Sequence, residues 1–171
     1  KEGGAFETKI VANYNDKAPE EYHIRELNRQ FEEQIDKIEA GFYYPVIPDS
    51  VAVSDQTYYE YRTDQCVFKG ELKEGCPDGV WCVFNVAGTL IGQFPYGEGK
   101  IEGVAPFFYE NGELLAQVTY KEGLIAGYKE FSPDGTLRVE IMFRKGVRHG
   151  TAKFYYPTGH LFCEGRYKNG R

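Results

Sequence analysis

Nothing in this sequence approaches the roughly 18 consecutive apolar residues that a membrane-crossing helix needs. The signatures of common enzymes are missing too: there is no GxSxG, no HExxH, no phosphate loop, and no GxGxxG leading into a helix. The three histidines, His23, His149 and His160, stand far apart, and the last two read as turn-surface residues. The four cysteines (Cys66, Cys76, Cys82, Cys163) form no CxxC, and no spacing among them matches a zinc site. They allow three full pairings, among which the sequence does not choose; free, buried thiols are the simpler reading. No dense basic patch interleaved with exposed aromatics is present, so nucleic acid is not an expected partner. Polar tracts are absent as well, which excludes a largely disordered chain. Together these absences point away from catalysis, and no metal or cofactor is expected. The chain starts at Lys1 rather than Met, which fits a processed or trimmed product.

What the sequence does hold is aromatic residues and glycine: 14 Tyr, 12 Phe and 20 Gly in 171 residues. Tyr and Phe suit pleated, half-buried surfaces, and Gly marks turns. The glycines keep time. Gly75, Gly99, Gly123, Gly146 and Gly170 follow one another at intervals of 24, 24, 23 and 24 residues. Gly79, Gly103, Gly127 and Gly150 form a second series, and Gly88, Gly112, Gly135 and Gly159 a third. The apolar residues share the register. Leu72, Tyr96, Tyr120, Phe143 and Tyr167 each precede a leading glycine by three, while Phe84, Phe108, Phe131 and Tyr155 are equivalent inside the repeats. Leu90, Leu114, Leu137 and Leu161 sit two residues past the third series. A fixed period of this length denotes a repeat architecture.

Each unit is too short for a helix pair. A turn at 99–103 leads into an apolar run at 104–109, and Glu110-Asn111-Gly112 leads into a second run at 114–120. Asn-Gly and Asp-Gly favour hairpins because those residues tolerate positive φ. The expected fold is therefore mainly β: an elongated single-layer sheet of tandem antiparallel hairpins. The units are a half-repeat at 58–74 and repeats at 75–98, 99–122, 123–145 and 146–169. Asp64 stands at a turn-glycine position, and Gly70 matches Gly165. The third repeat is one residue short, lost between Gly127 and Gly135. At about 4.8 Å per strand the array spans on the order of 45 Å.

The segment Tyr-Lys-Glu-Gly-Leu-Ile-Ala-Gly-Tyr-Lys-Glu-Phe-Ser-Pro-Asp-Gly-Thr-Leu (120–137) resembles a MORN repeat (membrane occupation and recognition nexus), in its bacterial variant. Residues 143–150 and 167–170 match the same pattern. Leu72 departs from it where an aromatic should lead, and Pro106 interrupts a strand. The resemblance covers about residues 58–171 and implies a hairpin sheet used for contact with protein or lipid; some bacterial members are labelled antitoxins of toxin–antitoxin pairs.

Residues 1–57 are a separate unit, made of an arm, a helix and a crossing segment. Over 19–40, Pro19 suits a first helical turn, and Ile24, Leu27, Phe31, Ile35, Ile38 and Phe42 recur at 3-4-4-3-4 spacing. That amphipathic helix either packs on the repeat sheet or drives self-association. Residues 43–57 contain two prolines and read as extended chain. The arm at 9–14 is a short strand or a loose segment.

Charge is unevenly placed. Residues 1–74 carry a net −7 and residues 75–171 a net +1, with eight Lys/Arg against two Glu over 138–171. The first function expected is a non-enzymatic interaction or scaffold module whose aromatic-lined surface meets another protein. The alternative is a membrane-surface or cell-envelope protein that meets anionic lipid or polysaccharide through residues 138–171. The compartment is left open, with periplasm or envelope slightly ahead of cytoplasm. Candidate binding residues are Trp81, Tyr96, Phe108, Tyr109, Tyr120, Tyr128, Phe131, Phe143, Tyr155, Tyr156 and Tyr167. Strand alternation puts the two aromatic ladders on opposite faces, or one in the core and one outside.

Overall fold

The computed structural model describes residues 7–10, 58–62 and 66–170. Among the described residues twelve strands form: β1 (Glu7–Ile10), β2 (Tyr58–Arg62), β3 (Cys66–Lys73), β4 (Cys76–Asn85), β5 (Leu90–Gly97), β6 (Lys100–Ile101), β7 (Gly103–Phe108), β8 (Leu114–Lys121), β9 (Leu124–Phe131), β10 (Leu137–Arg144), β11 (Val147–Tyr155) and β12 (Leu161–Tyr167). All join one open antiparallel sheet, ordered β1-β12-β11-β10-β9-β8-β7-β5-β4-β3-β2, with β6 alongside β5. From β2 onward the chain climbs the sheet strand by strand; only β1 breaks sequence order, closing the far edge against β12. The strand at the arm is Glu7–Ile10, earlier than the 9–14 expected, and residues 11–14 lie outside the described residues. There is no helix among the described residues, and the helix expected at 19–40, the crossing segment at 43–57 and Asp64 lie outside them.

Two kinds of turn alternate, one along each side of the sheet. On one side the pairs Glu74-Gly75, Glu98-Gly99, Glu122-Gly123, Lys145-Gly146 and Asn169-Gly170 all have positive φ, between 51° and 82°. Positive φ at both central residues is the mark of a type I′ hairpin turn, whose twist matches that of the strands it joins. These turns also interlock. The amides of Gly99, Gly123, Gly146 and Gly170 donate to the carbonyls of Pro77, Ile101, Ile125 and Arg148, each in the preceding repeat. On the other side the loops are longer, and only the glycine (Gly88, Gly112, Gly135 or Gly159) is left-handed. Asn111 and Asp134 act there through their side chains, accepting from the amides of Glu113 at 3.0 Å and Thr136 at 2.9 Å. That bond, with the hydroxyl of Thr136, holds the Asp134 carboxyl below its ordinary range. The expected turn at 99–103 is therefore a tight Glu98-Gly99 turn followed by strand. The residue missing from the third repeat also moves. Gly79, Gly103 and Gly150 have positive φ but Gly127 does not, and it pairs directly with Thr119 and Met142. The lost position lies before Gly127, where the other repeats carry their left-handed residue.

Cross-strand register separates the two faces. On the inner face a row passes through Trp81, Phe94, Ala105, Val118, Tyr128, Ile141, Ala152 and Gly165. All of its hydrophobic members are buried, Trp81 and Phe94 completely. Tyr120, Phe143 and Tyr167 extend this core toward the tight turns, with Leu72 and Tyr96 packed against it. Pro106 lies within β7 rather than ending it, but β5 and β7 share only the pair Gly92↔Phe107, since proline has no N–H to give a ladder.

All four cysteines carry free thiols, and the expectation that they are buried holds for Cys163 but not for Cys76, which is exposed. Burial pushes the Cys163 thiol up to about 11. Since the thiolate is the nucleophile, iodoacetamide near pH 8 is expected to label Cys76 in the native protein and to spare Cys163 until the chain is unfolded. Peptide mass mapping with and without denaturant checks this; early labelling of Cys163 would contradict the buried placement.

Candidate functional site

The opposite, outer face is built of three parallel rows. The row nearest the longer loops comprises the pairs Val67↔Phe84, Phe84↔Leu90, Phe108↔Leu114, Phe131↔Leu137 and Tyr155↔Leu161. Every member is half-buried. Adjacent phenylalanines show how the faces divide: Phe107 is 5% exposed in the core, whereas Phe108 points outward and keeps part of its ring in solvent. One aromatic per repeat thus lines a continuous apolar stripe, two strands wide in each unit.

The middle row is polar. It runs Glu60, Lys69, Cys82, Gln93, then Pro106, Gln117, Lys129, Glu140, Lys153 and Glu164. Lys69 lies 3.2 Å from Glu60, and Lys129 lies 3.3 Å from Glu140. Hydrogen bonds from Arg62 and Lys69 hold the Glu60 carboxyl below its usual range. The Lys69 ammonium also sits 5.6 Å above the Phe84 ring, joining the polar row to the apolar stripe. Surface pairs of this kind contribute little to stability. Beyond the polar row, toward the tight turns, Val80, Val104, Leu124, Met142 and Val147 stand 45–57% exposed.

The expected site residues divide between the faces. Trp81, Tyr120, Tyr128, Phe143 and Tyr167 are in the core. Trp81 donates its Nε1–H to the carbonyl of Glu71 at 3.0 Å, and the Tyr128 hydroxyl donates to Glu130 at 2.7 Å. Tyr96 is half-buried and meets Trp81 edge to face, with centroids 6.2 Å apart. Tyr156 packs similarly on Phe162 at 4.8 Å. Tyr109 donates its hydroxyl to the carbonyl of Phe131, tying the second repeat to the third, and burial with the nearby Glu130 raises its pKa. Phe108, Phe131 and Tyr155 remain on the outer stripe. Burial first, then Glu140, raises the pKa of Tyr155 as well, so its hydroxyl stays protonated at neutral pH. The site list drawn from sequence lacks Phe84, Val67 and the four leucines. Their signal was present in the repeat register, since the leucines share one frame position, but it takes strand pairing to put them beside the aromatics.

Among the described residues no group of three His, Cys, Asp or Glu side chains comes together to hold a metal ion. His149 accepts from the Asn169 amide, and His160 lies beside the Thr158 hydroxyl, so both are bound into turns.

Residues 101–122 and 148–169 match the model of the MORN repeat variant. No curated protein matches the chain. Among solved structures, it is similar to the glycosylation-associated protein Gap123 complex of Streptococcus agalactiae (18% identity, 67% of this chain and 22% of that one, TM-score 0.39). It is also similar to the accessory secretory protein 1, 2 and 3 structure from Streptococcus pneumoniae (12%, 70% and 24%, TM-score 0.38) and to TarM (13%, 89% and 30%, TM-score 0.38). The chain spans less than a third of the length of each of these.

Proposed function

We propose that this chain, which carries MORN-variant repeats, is a non-enzymatic interaction module that presents its outer face to another protein. The observation that carries the reading is the stripe of half-buried Phe84, Phe108, Phe131 and Tyr155 with their paired leucines, bordered by a polar row whose charges alternate at its two ends. Rigid aromatics bury large area at small entropic cost, so they anchor interfaces well. The charged row supplies register and excludes partners of the wrong pattern. Such a face offers area for contact.

The test is affinity capture with the intact chain, comparing wild type with Phe108→Ser/Phe131→Ser. The expected result is a partner protein retained by wild type and lost by the variant, while the thermal midpoint moves far less than for a core substitution. Equal retention by both would remove the outer stripe from the reading.

A second reading rests on the tight turns. The first three carry Glu74, Glu98 and Glu122 at their left-handed position, the last two Lys145 and Asn169, flanked by Arg144, Arg148 and Lys168. That basic corner suits an anionic lipid or polysaccharide surface. Binding through it would fall steeply as salt rises, unlike binding through the apolar stripe.

A further inference from the structure

We infer that the free side of β12 is a strand-acceptor edge, filled in cis by β1 and able to take the same segment from a second copy of this chain. This edge is a different surface from the outer stripe.

The register carries the argument. β12 is flanked on its inner side by β11, which sets Thr151, Ala152, Lys153 and Phe154 against Arg166, Gly165, Glu164 and Cys163. On its free side β1 sets Glu7, Thr8, Lys9 and Ile10 against the same four residues in the same order. In register, a lysine stands opposite Glu164 on both sides, a small residue opposite Gly165 and a large apolar residue opposite Cys163. β1 adds an acid opposite Arg166. The arm therefore repeats the pattern of a true repeat strand although it lies outside the glycine frame. Cys163, at the end of this register, belongs to the buried core at 1% exposed.

Every other strand from β2 to β12 is held to a neighbour by a short connection; β1 alone is not. It pairs through four residues, and residues 11–57 separate it from β2 at the opposite edge. The edges are ten strand steps apart, on the order of 48 Å, whereas a 47-residue connection can reach on the order of 150 Å. Chain length thus sets no limit on which copy supplies the strand. A short edge strand without a turn opens at low cost, and an opened edge exposes a row of unpaired N–H and C=O groups. A reciprocal exchange between two copies closes both edges with the contacts already present in one.

The test uses the full chain and a fluorescent peptide of residues 5–12. In the double variant Thr8→Pro/Lys9→Pro at least one removed N–H faces β12, and amide exchange across β3–β10 reports whether the remaining sheet is intact. The peptide is expected to bind the variant at least tenfold more tightly than wild type. A peptide with Glu7 and Lys9 interchanged is expected to bind the variant at least tenfold more weakly. Light scattering on wild type should show a dimer growing with concentration, absent from the variant. Equal peptide affinity for both proteins, indifference to the interchange, or an equally strong dimer in the variant would each overturn the inference.

Discussion

Replacing Trp81 with alanine is expected to lower the unfolding free energy by about 3–5 kcal/mol, the range for a large aromatic removed from a packed core. Urea denaturation followed by circular dichroism would read it as a lower midpoint at nearly unchanged slope. The indole is completely buried, opposite Phe94 and edge to face with Tyr96. Its N–H satisfies the carbonyl of Glu71 on the neighbouring strand, so truncation removes packing and strands an acceptor together. The effect should be propagated. In a repeat sheet each unit is stabilised by its neighbours, and Trp81 sits where the half-repeat of β2 and β3 meets the first full repeat. Amides of β2 and β3 should therefore lose exchange protection before those of β10 and β11. A change under about 1 kcal/mol would mean that the inner row is not a close-packed core.

Much of this was legible in the sequence, because left-handed backbone is a demand that glycine meets most cheaply and that leaves a periodic trace. The trace has limits. Five non-glycine residues (Glu74, Glu98, Glu122, Lys145 and Asn169) also have positive φ, and only Asn169 belongs to a type known to tolerate it. The spacing thus located these turns but mistook their width, since the residue before each glycine shares the turn. The faces were harder to read. Alternation places Phe107 and Phe108 on opposite sides without saying which side is core. Trp81 and Tyr128 read as available rings, yet the inner row buries them, and that row is defined by pairings between strands that no single repeat contains. Phe131 and Tyr155 read the same way and face outward. Cross-strand register, more than composition, separates structural from presented aromatics here.

The residue beneath Trp81 shows how strongly that register is specified. Gly70 has ordinary backbone, so its need is spatial: a Cβ built there would lie 2.3–2.4 Å from three atoms of the Trp81 ring. The ring is rigid and fully buried, and cannot withdraw as the tip of a flexible side chain would. Gly70→Ala is therefore expected to destabilise by about 1–3 kcal/mol or more through overpacking, even though alanine ordinarily favours a strand over glycine. Gly92→Ala is the milder comparison, because its nearest neighbour is an edge atom of Phe107 at 3.0 Å. The decisive measurement is a double-mutant cycle. In the Trp81→Ala background the added methyl faces the space the indole left, so the Gly70→Ala penalty should vanish or reverse. Coupling of about 0.5–3 kcal/mol is the size expected for residues that share one cavity. Additive single effects would show that glycine at position 70 answers to its own backbone rather than to the indole above it. Coupling of the expected sign would tie a glycine of the half-repeat to the single tryptophan of the chain, and would mark that junction as the place where stacking of the repeats is fixed.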